Sequence, residues 1–165
     1  MTLRLSVELA KFAYVDFDRV IESLNTRSGV ALGVAVAMGG LVAARIGSLL
    51  PDAAPAGVLG LAAVILSFAP IVLLAVGVAN LMSAMRALEA PAPYSMEDLV
   101  TKDRFLSEED FLAQQLVNFK RSVDGRRLLS AKKAARYGRG LTWVLFGMGL
   151  YVLTEIVLAA TIPLR

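Results

Sequence analysis

The sequence predicts an all-α integral membrane protein with three transmembrane helices, an amphipathic N-terminal helix and a helical cytoplasmic region. Three observations predict it. Residues 29–50, 58–82 and 141–162 are long apolar stretches, each beyond the roughly 20 residues that cross a hydrocarbon core about 30 Å thick. Hydrophobic residues make up 57% of the chain and charged ones 19%, richer in the first and poorer in the second than a soluble domain. A chain of 165 residues also lacks the material to hide three such helices from water on every face.

The basic residues set an orientation. Arg4, Lys11, Arg19 and Arg27 precede the first stretch, and the 51–57 loop has no Lys or Arg. Residues 83–140 hold eleven basic residues, and only Arg165 follows the third stretch. Basic loops favour the cytoplasmic side. The expected arrangement is a multi-pass inner-membrane protein with a cytoplasmic N-terminal segment (1–28), a spanning hairpin (29–82), a cytoplasmic region (83–140) and a third span with a short outer tail (141–165). The first twenty residues mix charge with apolar side chains and lack the continuous apolar core of a secretory signal.

Taken in order, residues 3–24 read as an amphipathic helix: Leu9, Phe12 or Ala13, Phe17, Val20 and Leu24 recur at helical spacing. Its acidic residues dilute attraction to anionic lipid, which favours packing on other cytoplasmic helices over lying on the leaflet. Pro70 predicts a kink in the second span, with the Ser67 hydroxyl helping to satisfy freed backbone, and Asn80 suits a hydrogen bond across helices. Residues 90–93 (Ala-Pro-Ala-Pro) read as a helix stop and stiff linker, and 94–105 as a short helix or turn. Ser107-Glu108-Glu109-Asp110 reads as a helix start, a hydroxyl cap followed by acids in the first turn. From there a stripe of Leu112, Leu116, Phe119, Val123, Arg127, Ser130 and Ala134 suits packing on a partner helix. Gly138 and Gly140 mark an expected bend at residues 137–140.

Within the apolar stretches, Gly29, Gly33, Ala37, Gly40, Ala44 and Gly47 place small residues on one face of the first span. In lipid, helices associate by close contact, and small residues let backbones approach. This face serves either a tight hairpin with the second span or self-association into a homo-oligomer. Arg45 and Glu155 are ionisable residues at similar depth in the first and third spans. Leaving either alone in hydrocarbon costs a few kcal/mol, so the expectation is an ion pair, within one subunit or between neighbours. The alternative is that Arg45 snorkels to headgroups and Glu155 faces water.

Ahead of the third span, Arg126, Arg127, Lys132, Lys133, Arg136 and Arg139 form a basic helix. It reads as juxtamembrane charge touching the anionic lipid of the inner leaflet; a phosphate-bearing ligand such as a nucleotide, held by arginines from several subunits, is the sharper alternative. Sparse aromatic interleaving argues against nucleic acid. With no Cys and no His, thiol and imidazole catalysis and the common zinc and haem ligand sets are excluded. The acidic run 108–110 is explained as a helix start. No catalytic, cofactor or metal site is expected, and no enzyme.

An amphipathic helix leading through Leu24-Asn25-Thr26-Arg27-Ser28 into a spanning hairpin, then a helix carrying Lys132-Lys133-Ala134-Ala135-Arg136 back into the membrane, resembles the Pycsar transmembrane effectors and the related SLATT group of bacterial antiphage nucleotide signalling. There a Leu-Asp-x-Lys-Ala-like segment opens the first span; here Asn25 stands for the Asp and Arg27 for the Lys. The resemblance implies a homo-oligomeric inner-membrane effector, activated by a nucleotide signal or a protein trigger, that forms a pore or otherwise impairs membrane integrity. The alternative is an accessory or scaffolding subunit of a larger membrane complex.

Overall fold

Residues 25–28 contain neither Pro nor Gly, and the helix passes through them unbroken. In the computed structural model, which describes residues 2–53, 57–86, 93 and 107–161, α1 runs Leu3–Ala53 as one helix. The amphipathic segment and the first apolar stretch are therefore a single element, and its end takes in Pro51, Asp52 and Ala53 of the expected loop. α2 covers Gly57–Met85 and α3 Glu108–Thr161. Among the described residues the regular elements are these three helices, all long and apolar enough to cross a membrane. The expected linker at 90–93 and segment at 94–105 lie outside the described residues, except Pro93, which is not helical.

α3 starts as its sequence demands. Ser107 Oγ accepts from the Asp110 amide at 3.2 Å and donates to Asp110 Oδ2 at 2.6 Å, satisfying one of the amides a helix start leaves free. The helix then continues without interruption through Gly125, Gly138 and Gly140, so the expected bend at 137–140 does not end it. Each glycine costs about 1 kcal/mol against alanine in a helix interior, and packing outweighs it. α2 likewise runs unbroken through Pro70, which is fully buried. Asn80 donates to its own helix, to the Val76 carbonyl at 2.9 Å, and not across to another.

The chain divides into two units. The first comprises Met1–Asn25 and Arg86–Ala134. In it the N-terminal part of α1 packs on α3, parallel to it, because contacts advance together along both: Arg4 with Glu108, Tyr14 with Phe119, Asp18 with Arg126, Asn25 with Lys133. The inward line of α1 is Val7, Tyr14, Phe17, Ile21 and Leu24, while Leu9, Phe12 and Val20 of the expected face are exposed.

The second unit comprises Thr26–Met85 and Ala135–Arg165. Its core is Ala35, Val42, Ile46, Leu74, Leu81 and Val144, flanked by Ile71, Val78, Tyr137, Met148 and Tyr151. Ala35 and Val42, Leu74 and Leu81, Gly140 and Gly147 are each seven apart, the spacing of helices that pack along a left-handed seam. The tightest contact is between α2 and α3. A methyl at Gly77 would lie 2.7 Å from Val144 Cγ2 and 3.1 Å from the Gly140 carbonyl oxygen. One at Gly140 would lie 2.8 Å from Leu81 Cγ, and one at Gly147 3.0 Å from Leu74 Cγ. These glycines let the two antiparallel helices meet backbone to backbone, each leucine filling the space over a glycine.

Gly77→Ala is therefore expected to lower stability by about 1–3 kcal/mol, the usual range for overpacking, in reversible unfolding of the detergent-solubilised protein. Gly33→Ala, whose added methyl meets nothing within 4 Å, should leave stability unchanged or raise it slightly through helix propensity.

Candidate functional site

Gly33, Ala37, Gly40, Ala44 and Gly47 are all exposed. At 100° per residue they lie on the side of α1 opposite Ala35, Val42 and Ile46, which are buried. Among the glycines of this line and the described residues, Gly29 alone comes near another helix, with Met85 Cε 3.8 Å from where its Cβ would stand. Methyls at Gly33, Gly40 and Gly47 would meet nothing within 4 Å. The expected tight hairpin does not use this face. The close approach between helices is made instead by Gly77 and Gly147, absent from the sequence expectations, and by Gly140, expected there only to mark a bend. The heptad spacing of Gly140 and Gly147 carried the signal.

Arg45 and Glu155 are brought together within the chain. Arg45 Nε donates to both Glu155 oxygens, at 3.1 and 3.2 Å. Both side chains are partly exposed. The pair ties α1 to α3 in the second unit and leaves neither charge alone. Thr154, beside it, is buried and donates to the Leu150 carbonyl at 2.8 Å.

The basic residues of α3 separate into inward and outward sets. In the first unit Arg126 turns inward: its guanidinium pairs with Asp18, donates to the Tyr14 hydroxyl, and lies 4.2 Å over the Tyr14 ring. Tyr14 in turn meets Phe119 edge to face with ring centroids 6.3 Å apart. Lys133 is buried, and its Nζ donates to Asn25 Oδ1 at 2.9 Å. Burial holds the Lys133 ammonium below the ordinary lysine range, because loss of water disfavours the charged form. Arg127 and Lys132 are exposed.

In the second unit, Arg136 donates to the Ser83 carbonyl at 3.2 Å, satisfying an acceptor that the last turn of α2 leaves open. Arg139 is exposed, its Nε donating to the Ala135 carbonyl at 3.4 Å. Half of the expected ligand-contact row is thus structural. The proposed stripe also slips after Val123: Arg127 and Ala134 point out, while Arg126, Ser130 and Lys133 continue inward, because the step there is three residues and not four.

No family model matches this chain, and neither does any curated protein or solved structure.

Two outcomes follow from this geometry. Arg45→Gln and Glu155→Gln should each lower stability by about 1–3 kcal/mol, since each strands one charge. The double variant should lose no more than either single one, and the swap Arg45→Glu/Glu155→Arg should recover at least half of the loss. Additive losses in this double-mutant cycle would contradict the pairing.

The second concerns pH. Folding lowers the proton affinity of Lys133, so the unfolded chain binds more protons through the alkaline window just below the titration of a free lysine. Stability in that window should rise with pH by an increment that Lys133→Met abolishes. The difference between wild-type and variant unfolding curves, collected from neutral to alkaline pH, measures it.

Proposed function

We propose that this chain is a multi-pass protein of the bacterial inner membrane that self-associates and acts, without enzymatic chemistry, as an effector of antiphage defence. On activation by a nucleotide signal or a protein trigger it impairs the membrane or opens a pore. The N-terminus is cytoplasmic and the C-terminus outside.

The observation that carries self-association is the exposed line Gly33, Ala37, Gly40, Ala44 and Gly47. The fold leaves it open, yet it has the small-residue character that lets two helices approach closely in lipid. Membrane insertion is supported by the rest of the second unit's surface. Val36, Leu41, Ile65, Phe68, Val72, Phe146, Val152, Leu153 and Ile156 are all exposed, an apolar surface that water would not tolerate and lipid would.

The defence role rests on the layout and on the Leu24–Ser28 and Lys132–Arg136 segments that resemble the Pycsar and SLATT effectors. Because α1 and α3 each supply residues to both units, a trigger acting on the first would reach the second along those helices. The exposed Arg127, Lys132 and Arg139 remain for anionic lipid or for a phosphate-bearing signal.

The test is native mass spectrometry of nanodisc-embedded protein, paired with growth and membrane-potential measurements in cells. Wild-type chain should form a discrete homo-oligomer of several copies. Gly40→Ile/Gly47→Ile, at positions where an added Cβ meets nothing within 4 Å, should weaken assembly at least tenfold and abolish growth arrest together with it. A wild-type monomer, or recovery only in complex with a different protein, would replace this reading with that of an accessory subunit.

A further inference from the structure

Between α1 and α3 the second unit carries an open groove of about 450 Å³, lined among others by Arg27, Val30, Val34, Tyr137, Leu145 and Met148. Its walls are apolar except at one end. There Arg27 is exposed and makes no ion pair or hydrogen bond among the described residues, and the half-buried Tyr137 offers a hydroxyl that is likewise unbonded among them.

Both residues line the same groove, and farther along the same two helices Arg45 pairs with Glu155.

Three properties of the groove define its occupant. Arg27 and Tyr137 stand just ahead of the apolar stretches that open at residues 29 and 141, so both lie at the headgroup level of the same leaflet. From Arg27 to Val34 is about 11 Å along α1, and from Tyr137 to Met148 about 17 Å along α3. That is the depth of one leaflet, half of a core about 30 Å thick. The single cation of the lining sits where a phosphate would lie, and the Tyr137 side chain lines the same groove.

We propose that this groove holds an anionic phospholipid of the cytoplasmic leaflet, its phosphate on Arg27 and the Tyr137 hydroxyl and one acyl chain along Val30, Val34, Leu145 and Met148. Arginine suits this position because it pairs with phosphate in a fork and is never deprotonated. The inference rests on the membrane reading above; Val34 lies about 100° or more around α1 from Gly33, Gly40 and Gly47, while Val30 stands one heptad before Ala37, at the edge of that line.

The experiment uses the full chain, purified in detergent and titrated with phosphatidylglycerol or with phosphatidylcholine of the same acyl chains, with bound lipid counted by native mass spectrometry. Wild type should retain one phosphatidylglycerol per protomer with about tenfold preference over phosphatidylcholine. Arg27→Gln should erase the preference by weakening the anionic lipid alone, and Tyr137→Phe should reduce it in the same direction. Val34→Trp, which fills the groove from its exposed wall, should weaken both lipids, while Lys11→Gln, at an exposed cation away from the groove, should behave as wild type. Circular dichroism confirms that each variant is folded.

Preference unchanged in both Arg27→Gln and Tyr137→Phe, equal loss in Lys11→Gln, or displacement of the lipid by millimolar inorganic phosphate would overturn the proposal. The membrane reading fails separately, if the chain is extracted from cells without detergent. A chain that stays in the membrane fraction yet shows no preference sinks the groove assignment alone.

Discussion

The close approach of α2 and α3 at Gly77, Gly140 and Gly147 is the constraint on which the second unit depends. Between helices in lipid there is little hydrophobic gain in hiding one aliphatic surface against another, so association relies on contact distance and complementary shape. Glycine removes the side chain that would hold the axes apart, and Leu74 and Leu81 occupy the space over Gly147 and Gly140. With that seam fixed, Leu74, Leu81 and Val144 become core, and Ala35, Val42 and Ile46 of α1 complete it. Phe68, Phe146 and Val152 are left exposed.

The second organising relation is the parallel pairing of α1 with α3. In the first unit it is held by polar groups more than by bulk: Arg126 between Asp18 and Tyr14, and Lys133 on Asn25. Burying a cation is costly unless it is paired or hydrogen-bonded, so such contacts penalise any slip of one helix past the other. In the second unit Arg45 and Glu155 hold the corresponding seam. Register specified by scattered polar contacts leaves apolar surface between them free to be open, which is how a leaflet-deep groove can persist between Arg27 and Met148.

Much of this was legible in the chain. The three apolar stretches, the Ser107 cap with its acids, and the closeness of Arg45 to Glu155 all rest on local chemistry or on the high cost of isolating a charge. The errors share one cause. The bend expected at residues 137–140 came from glycine propensity, worth about 1 kcal/mol per residue, against packing that keeps the helix continuous there. The inward faces were misread at Leu9, Val20 and Arg127 because a period near 3.5 and one near 3.6 diverge within a few turns. Apolar character alone does not choose between them when a guanidinium or an ammonium lies inside.

The sequence by itself determined the helical class, the number of helices able to cross a membrane, and which residues are too costly to leave alone. Those properties follow from side-chain transfer energies and from the bilayer's thickness, and they need no partner. Only the tertiary structure decided which glycines are spent inside the protomer and which remain exposed. A glycine in a helix reads the same in either role, and the difference lies wholly in what stands opposite it: Leu81 over Gly140, and open space over Gly40.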